Sequence, residues 1–139
     1  MTVPVFVDTN IWVYALTGSD DRRHEQARRR LAGLGSRPVV NGQVLREVGR
    51  VLYAKSKVDE EGIRVAMNCL YDICQVVPDN RAVLLRASCL RQDYRFSYWD
   101  SLVVAAALES GCAALMSEDL QHGQVIEGIL TIFNPFMQE

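Results

Sequence analysis

The sequence predicts an α/β fold in which a mainly parallel central sheet is flanked by helices in three layers. Short runs rich in apolar, β-prone residues (3–7, 38–40, 75–77, 113–116 and 130–133) alternate with segments of helical periodicity. Most of these runs are apolar without strict alternation, as strands covered on both faces are. The composition, 49% apolar and 23% charged over 139 residues, is that of a globular chain long enough to bury its own core without a disulfide or structural metal.

Taken in order, residues 3–7 form a first strand, with Pro4 tolerated near its start. Asp8, Thr9 and Asn10 follow at once, and residues 11–16 are apolar again. All three polar residues suit a helix N-cap, so the segment reads strand, tight turn, helix. Residues 20–34 form a charged helix closing at Gly33 or Gly35, and residues 38–40 a short strand. Residues 43–57 form an amphipathic helix with Val44, Leu45, Val48, Val51 and Leu52 on one stripe. Residues 59–75 form another, carrying Ile63, Ala66, Met67, Leu70 and Tyr71. A strand at 75–77 ends before Pro78, and a helix over 79–94 is capped by Asp79. Residues 99–110 are nearly apolar throughout and predict a helix buried on most sides, with Gly111 at its C′ position. Strands at 113–116 and 130–133 complete the set. With no repeat, linker or low-complexity segment between them, residues 1–139 are expected to form one domain.

The net charge of −2 and pI of about 5.7 exclude a basic coat over the whole chain. The average conceals a gradient. Residues 22–57 hold ten Lys or Arg against two acids, and residues 96–139 hold six acids and no Lys or Arg. One face is therefore expected to be basic and another region acidic, suited to an anionic polymer and to hard cations respectively. The run Arg22, Arg23, Arg28, Arg29 and Arg30 by itself reads as a solvated helix face. No uncharged apolar run reaches the ~18 residues that span a bilayer. The N-terminus has Asp8 in its middle and no positive leader region, so the expectation is a cytoplasmic protein with reduced thiols and no membrane partner.

In such sheets function collects where strands end at their carboxyl edge. Asp8 directly follows the first strand, and Asp119 follows residues 113–116 by three positions. Asp100 opens the buried helix, and Glu47 borders the apolar stripe of residues 43–57, with Arg46 and Arg50 pointing away from the stripe's centre. Carboxylates so placed could supply the few fixed oxygen ligands that Mg²⁺ takes. Two carboxylates about 5 Å apart repel by roughly 3 kcal/mol at an effective dielectric of 20, so a cluster of four calls for a cation or protons. The reaction class implied is metal-assisted phosphodiester hydrolysis.

Each acid also has a structural reading. Asp8 could simply cap the next helix. Asp100 closes a capping-box-like Ser97-Tyr98-Trp99-Asp100. Glu47 could pair with Arg50. Asp119 could be a turn residue, with Glu118 a competing ligand beside it. Among the other candidates, Cys69 and Cys74 are not matched by a second pair, since Cys89 and Cys112 lack metal-ligand spacing; buried, inert thiols are expected rather than a zinc site. His24 and His122 are expected in local hydrogen bonds, and Trp12 and Trp99 in the core, with base stacking the lesser reading. Phosphate-cradling glycine motifs are absent.

Val7-Asp8-Thr9-Asn10-Ile11 after a first strand resembles the opening of PIN-domain ribonucleases. Residues 99–108, then Gly111 and Leu115-Met116-Ser117-Glu118-Asp119-Leu120, resemble their C-terminal half, and Glu47 falls where the family places its second acid. Size and motif order look most like VapC-type toxins of bacterial toxin–antitoxin pairs. The resemblance covers essentially the whole chain. It implies a PIN-like domain acting as an endoribonuclease dependent on Mg²⁺, with Mn²⁺ as substitute. Asp8, Glu47, Asp100 and Asp119 would form the acidic metal site, supported by the polar residues Thr9, Asn10 and Ser117. Some relatives carry a further acid where this chain has Gln121. The resemblance also implies a homodimer and a cognate VapB-type antitoxin covering the site. Two rival readings are a catalytically silent PIN-like module that binds RNA or protein, and a small metal-dependent phosphatase. The latter is disfavoured because Asn10, not an acid, stands two residues after Asp8.

Overall fold

The structure, a computed structural model, describes residues 3–18 and 20–137. Its elements follow the chain as β1 (Val5–Val7), α1 (Thr9–Thr17), α2 (Asp21–Ala32), β2 (Val39–Asn41), α3 (Gly42–Ala54), α4 (Glu60–Ile73), β3 (Gln75–Val77), α5 (Arg81–Tyr94), α6 (Tyr98–Glu109), β4 (Ala114–Met116), β5 (Val125–Ile126) and β6 (Leu130–Phe133). The six strands lie in the order β3-β2-β1-β4-β6-β5. Every pairing is parallel except that of β5 with β6. The result is the expected α/β architecture, a central mixed sheet flanked by helices.

Each helix starts on a side chain suited to the task. Asp20, Asn41, Asp59, Asn80 and Ser97 accept from the backbone N–H three residues on, and Asp8 accepts from Thr9 N. The cap of α5 is Asn80 rather than the expected Asp79, because the strand–helix connection runs one residue longer. After α6, Gly111 takes a left-handed φ of 75°, the αL position anticipated for it. The β5 strand was not expected. Two residues carry no readable periodicity, and β5 forms by pairing Val125 with Thr131 and Ile126 with Leu130.

The core is built on β1 and α6. Phe6 and Val7 are fully buried, and every residue of α6 from Ser101 to Leu108 is buried, as its unbroken apolar run predicts. Of the thiols, Cys74 and Cys112 are buried, and desolvation pushes them up to about 12 and about 11. Cys69 and Cys89 are exposed, contrary to expectation: both sit on outward positions of amphipathic helices. Among the described residues no helix is long and apolar enough to cross a membrane.

Strand order also creates a crevice. The chain lays β2 and β3 to one side of β1, then returns and places β4 on the other side, so the strand order reverses between β1 and β4. Crevices at the carboxyl ends of such a pair are where open α/β sheets bind ligands. The register is level, with Val5 opposite Ala114 and Val7 opposite Met116. Phe6 lies at the centre of this arrangement, paired to Val39 and Leu115. Phe6→Ala should therefore lower the unfolding free energy by about 3–5 kcal/mol, as measured by urea denaturation.

Candidate active site

Because β1 and β4 end level, Asp8 and Ser117 leave the sheet side by side. Asp8 N extends the ladder by donating to Met116 O at 2.9 Å. The Ser117 hydroxyl, fully buried, donates to Asp8 Oδ2 at 2.8 Å. The same hydroxyl accepts from Asp119 N at 3.2 Å. Thr9 N donates to Asp8 Oδ1 at 2.8 Å, and Asn10 Nδ2 donates to Asp119 Oδ2 at 2.9 Å. The side chains of Asn10 and Ser117 thus link the two strand ends into one hydrogen-bonded unit, to which Thr9 adds only its backbone N–H.

A cavity of about 540 Å³ opens over this unit. Asp8, Thr9, Asn10, Glu47, Asp100 and Asp119 all border it. Helix α6 delivers Asp100 from its first turn, where its backbone N–H bonds to Ser97 Oγ at 3.2 Å. Ser97 is thus the cap of α6, and the Asp100 carboxylate is left to the cavity wall, whereas the Asp8 carboxylate both caps α1 and borders the cavity. Helix α3 delivers Glu47, which is held by Arg50 through two contacts of 2.7 and 3.2 Å. The expected Glu47–Arg50 pair is thus present.

The electrostatics show which acids crowd one another. Loss of hydration pushes Asp8 up. The bonds from Thr9 N and Ser117 pull it down without cancelling that effect, and the nearby Asp119 and Asp100 push it further up. Asp119 is raised by desolvation and by Asp100. Glu47 is lowered, chiefly by its hydrogen bond from Arg50.

Several sequence expectations are redirected. Glu118 does not compete with Asp119: its carboxylate pairs with Arg23 and accepts from Tyr14 Oη at 3.0 Å. His24 Nδ1 lies 2.8 Å from Tyr14 O, and His122 Nδ1 accepts from Asn134 N, both local contacts as expected. Trp12 is buried and donates to Val7 O. Trp99, expected in the core, is instead 65% exposed and borders the cavity. It stands in the first turn of α6, before the helix enters the core. Arg46, Arg50 and Gln43, absent from the expected site, also line the cavity. The sequence signals for them were the i,i+3 spacing of Glu47 and Arg50 and, for both arginines, membership of the basic segment 22–57. Arg29 and Arg30, by contrast, line a separate cavity with Met116 and Phe133, so much of the basic run lies elsewhere.

The donor set suits a hard divalent cation: carboxylate oxygens, two of them raised by burial and by neighbouring acids, and no soft ligand. They are not drawn into a closed ligand cluster. Among the described residues no three His, Cys, Asp or Glu side chains stand together as a metal-holding group. Glu47 is turned to Arg50, and Asp119 is bonded to Asn10.

A PIN-domain family profile matches residues 5–127. No curated protein matches the chain in sequence. Among solved structures the fold superposes on a toxin–antitoxin complex from Klebsiella pneumoniae with a TM-score of 0.73 at 18% identity, covering 96% of this chain and 98% of that one. It superposes on VapC20 of Mycobacterium tuberculosis, a sarcin-ricin loop cleaving toxin, with a TM-score of 0.66 at 22% identity over 83% and 91% of the two chains. VapBC2 from Rickettsia felis, bound to a promoter DNA fragment, gives 0.65 at 18% identity over 94% and 98%. At these identities the likeness is one of fold.

The raised aspartates give a signed pH dependence. A folded-state carboxyl above its unfolded value binds more protons than the unfolded chain, so it costs stability increasingly as pH rises from about 4 through the raised value. Asp8→Asn removes that charge while keeping an oxygen to accept from Thr9 N. In chelator, the variant should melt at a higher temperature than the wild type at neutral pH. The gap should close as pH falls toward 4, read by circular dichroism melts across the range.

Proposed function

The chain belongs to the PIN-domain family, and from that premise we propose that it is a metal-dependent endoribonuclease, the toxin of a VapBC-type toxin–antitoxin pair. The observation that carries the reading is the meeting of Asp8, Glu47, Asp100 and Asp119 around one cavity at the β1/β4 edge. The fold likeness to toxins solved with antitoxin or DNA supports a partner relationship of the same kind.

In this reading Asp8, Asp100, Asp119 and Glu47 hold Mg²⁺ or Mn²⁺. When bound, the ion supplies Lewis acidity, strengthening water as a nucleophile and offsetting charge on the phosphodiester oxygens. The chain's own residues do the rest. Ser117 and Thr9 N keep both Asp8 oxygens oriented, and Asn10 does the same for one Asp119 oxygen, while the remaining acids would close in on an arriving cation. Glu47 joins the set by giving up Arg50, an exposed ion pair of small stabilising worth. The freed Arg50 and its neighbour Arg46 face the same cavity and offset the repulsion between the acids and an incoming phosphate backbone. Attraction of RNA thus falls to the α3 arginines rather than to the whole basic segment. We further propose that residues 1–139 act as one domain in the cytoplasm, as a homodimer restrained by a VapB-type antitoxin.

A catalytically silent PIN-like module that binds RNA or protein is the second reading. One observation favours it: Glu47 is engaged by Arg50, and the acids are not gathered into a ligand cluster.

Cleavage assays on total RNA with end mapping separate the two. The nuclease should generate site-specific ends with Mg²⁺ or Mn²⁺, and chelator should abolish them. Asp8→Asn or Asp100→Asn should reduce cleavage well beyond the ~10–100-fold expected from losing a residue that only orients a ligand, such as Ser117→Ala. Undiminished cleavage in folded Asp8→Asn protein would falsify the assignment. No cleavage at all, with RNA or partner binding retained, favours the silent module.

A further inference from the structure

A second cavity, of about 650 Å³, adjoins the acidic one, and the two share Gln43, Arg46 and Trp99 on their walls. The second is mainly apolar, with Tyr98, Leu84 and Leu102 on its walls, Arg81 as a further cation and Asp79 as its one acid. Trp99 stands between the two. Trp99 is 65% exposed, where tryptophan is buried on average. Tyr98 braces it edge-on, with ring centroids 5.2 Å apart and planes at 86°. Tyr98, itself 54% exposed, is backed by the Arg91 guanidinium, which lies 4.7 Å from its ring centroid and bonds to Ser101 Oγ at 2.7 Å. Gln43 Nε2 donates to Trp99 O at 3.4 Å, tying the same turn to α3.

The geometry points to Trp99 as a stacking platform for an unpaired RNA base beside the bond to be cut, with Arg46 and Arg81 taking the flanking phosphates. This inference rests on the nuclease reading for its substrate class. A rigid aromatic face next to guanidinium groups is the combination by which proteins hold single strands: stacking supplies affinity for any base, and the cations track the backbone. Bracing by Tyr98 means little side-chain freedom is lost on binding. A base in a duplex already has stacking neighbours on both faces, so the platform selects unpaired RNA. The apolar cavity gives such a base somewhere to lie, and Arg46 on both walls keeps its phosphate close to the acids. A polypeptide could also cover an exposed indole. RNA is favoured because the surface is continuous with the acidic cavity and carries two arginines against one acid.

Tryptophan emission tests the inference independently of cleavage. The chain has two tryptophans; Trp12 is buried, so iodide-accessible emission reports Trp99. In Asp8→Asn protein with Mg²⁺, a short single-stranded oligoribonucleotide should quench that emission and shield it from iodide, and the same sequence in a duplex should not. Trp99→Ala should weaken binding of the single strand by about 5- to 150-fold, the range for loss of one stacked base, while Trp99→Phe should retain most of the affinity. In the cleaving wild-type background, Trp99→Ala should raise KM more than it lowers kcat. Unchanged affinity of folded Trp99→Ala, equal quenching by duplex, or shielding of Trp99 by a polypeptide but not by RNA would each overturn the platform. Quenching and the Trp99→Ala loss in a protein that never cleaves RNA would leave the platform standing and remove the nuclease reading.

Discussion

The structure turns on the crowding of carboxylates at one point of the sheet. Asp8 leaves β1 and Asp119 follows β4, and α6 brings Asp100 against them from a third direction. Burial raises both Asp8 and Asp119; Asp100 pushes each further up, and Asp119 adds to the effect on Asp8. Local propensity does not gather these charges. The parallel pairing of β1 with β4 does, because two strands ending level must release their next residues side by side. Carboxylates partly stripped of water around one cavity persist only where the surrounding fold is stable enough to hold them there.

That stability comes from the apolar interior beneath the site. The fully buried Phe6 and Val7, and the run from Ser101 to Leu108, fix β1 and α6. Hydrogen bonds then transmit this rigidity to the acids. Ser117, with no exposed surface, receives one bond and gives another, and so sets the spacing of the two strand ends. Glu118, adjacent to Asp119, is drawn away by Arg23 and Tyr14, and Arg23 also packs over the Phe136 ring. One turn thereby presents one acid to the cavity and directs the next into a structural clasp.

The cavity is not uniformly acidic. Arg46 and Arg50 share it with the carboxylates, and Arg50 holds Glu47. A purely negative pocket would repel a polyanion as strongly as it attracts a cation, whereas arginines on α3 make the two compatible. Beyond Arg46 the wall becomes aromatic, at Trp99 and Tyr98. Carboxylates, guanidinium groups and an exposed indole follow one another across adjoining cavities, the succession of chemistries that suits the phosphates and bases of a single strand.

Much of the fold was legible in the chain. The short apolar runs, the Asp, Asn and Ser caps, and the unbroken run of α6 are local signals with local causes, and each produced its element within a few residues. The acids too could be nominated, since Asp8 and Asp119 flank apolar runs and Asp100 heads a buried helix. What the sequence could not decide was direction and company. Residues 99–110 read as a helix buried on most sides with Trp99 in the core, yet Trp99 is exposed because the first turn of α6 precedes its entry into the core. Arg46 and Arg50 read as pointing away from a stripe, yet α3 packs so that they border the acids. Strand β5 exists only through its pairing with β6. Periodicity along a chain records which residues prefer burial, but which side chains meet across elements is set by strand order and helix packing, and these are properties of the assembled sheet alone.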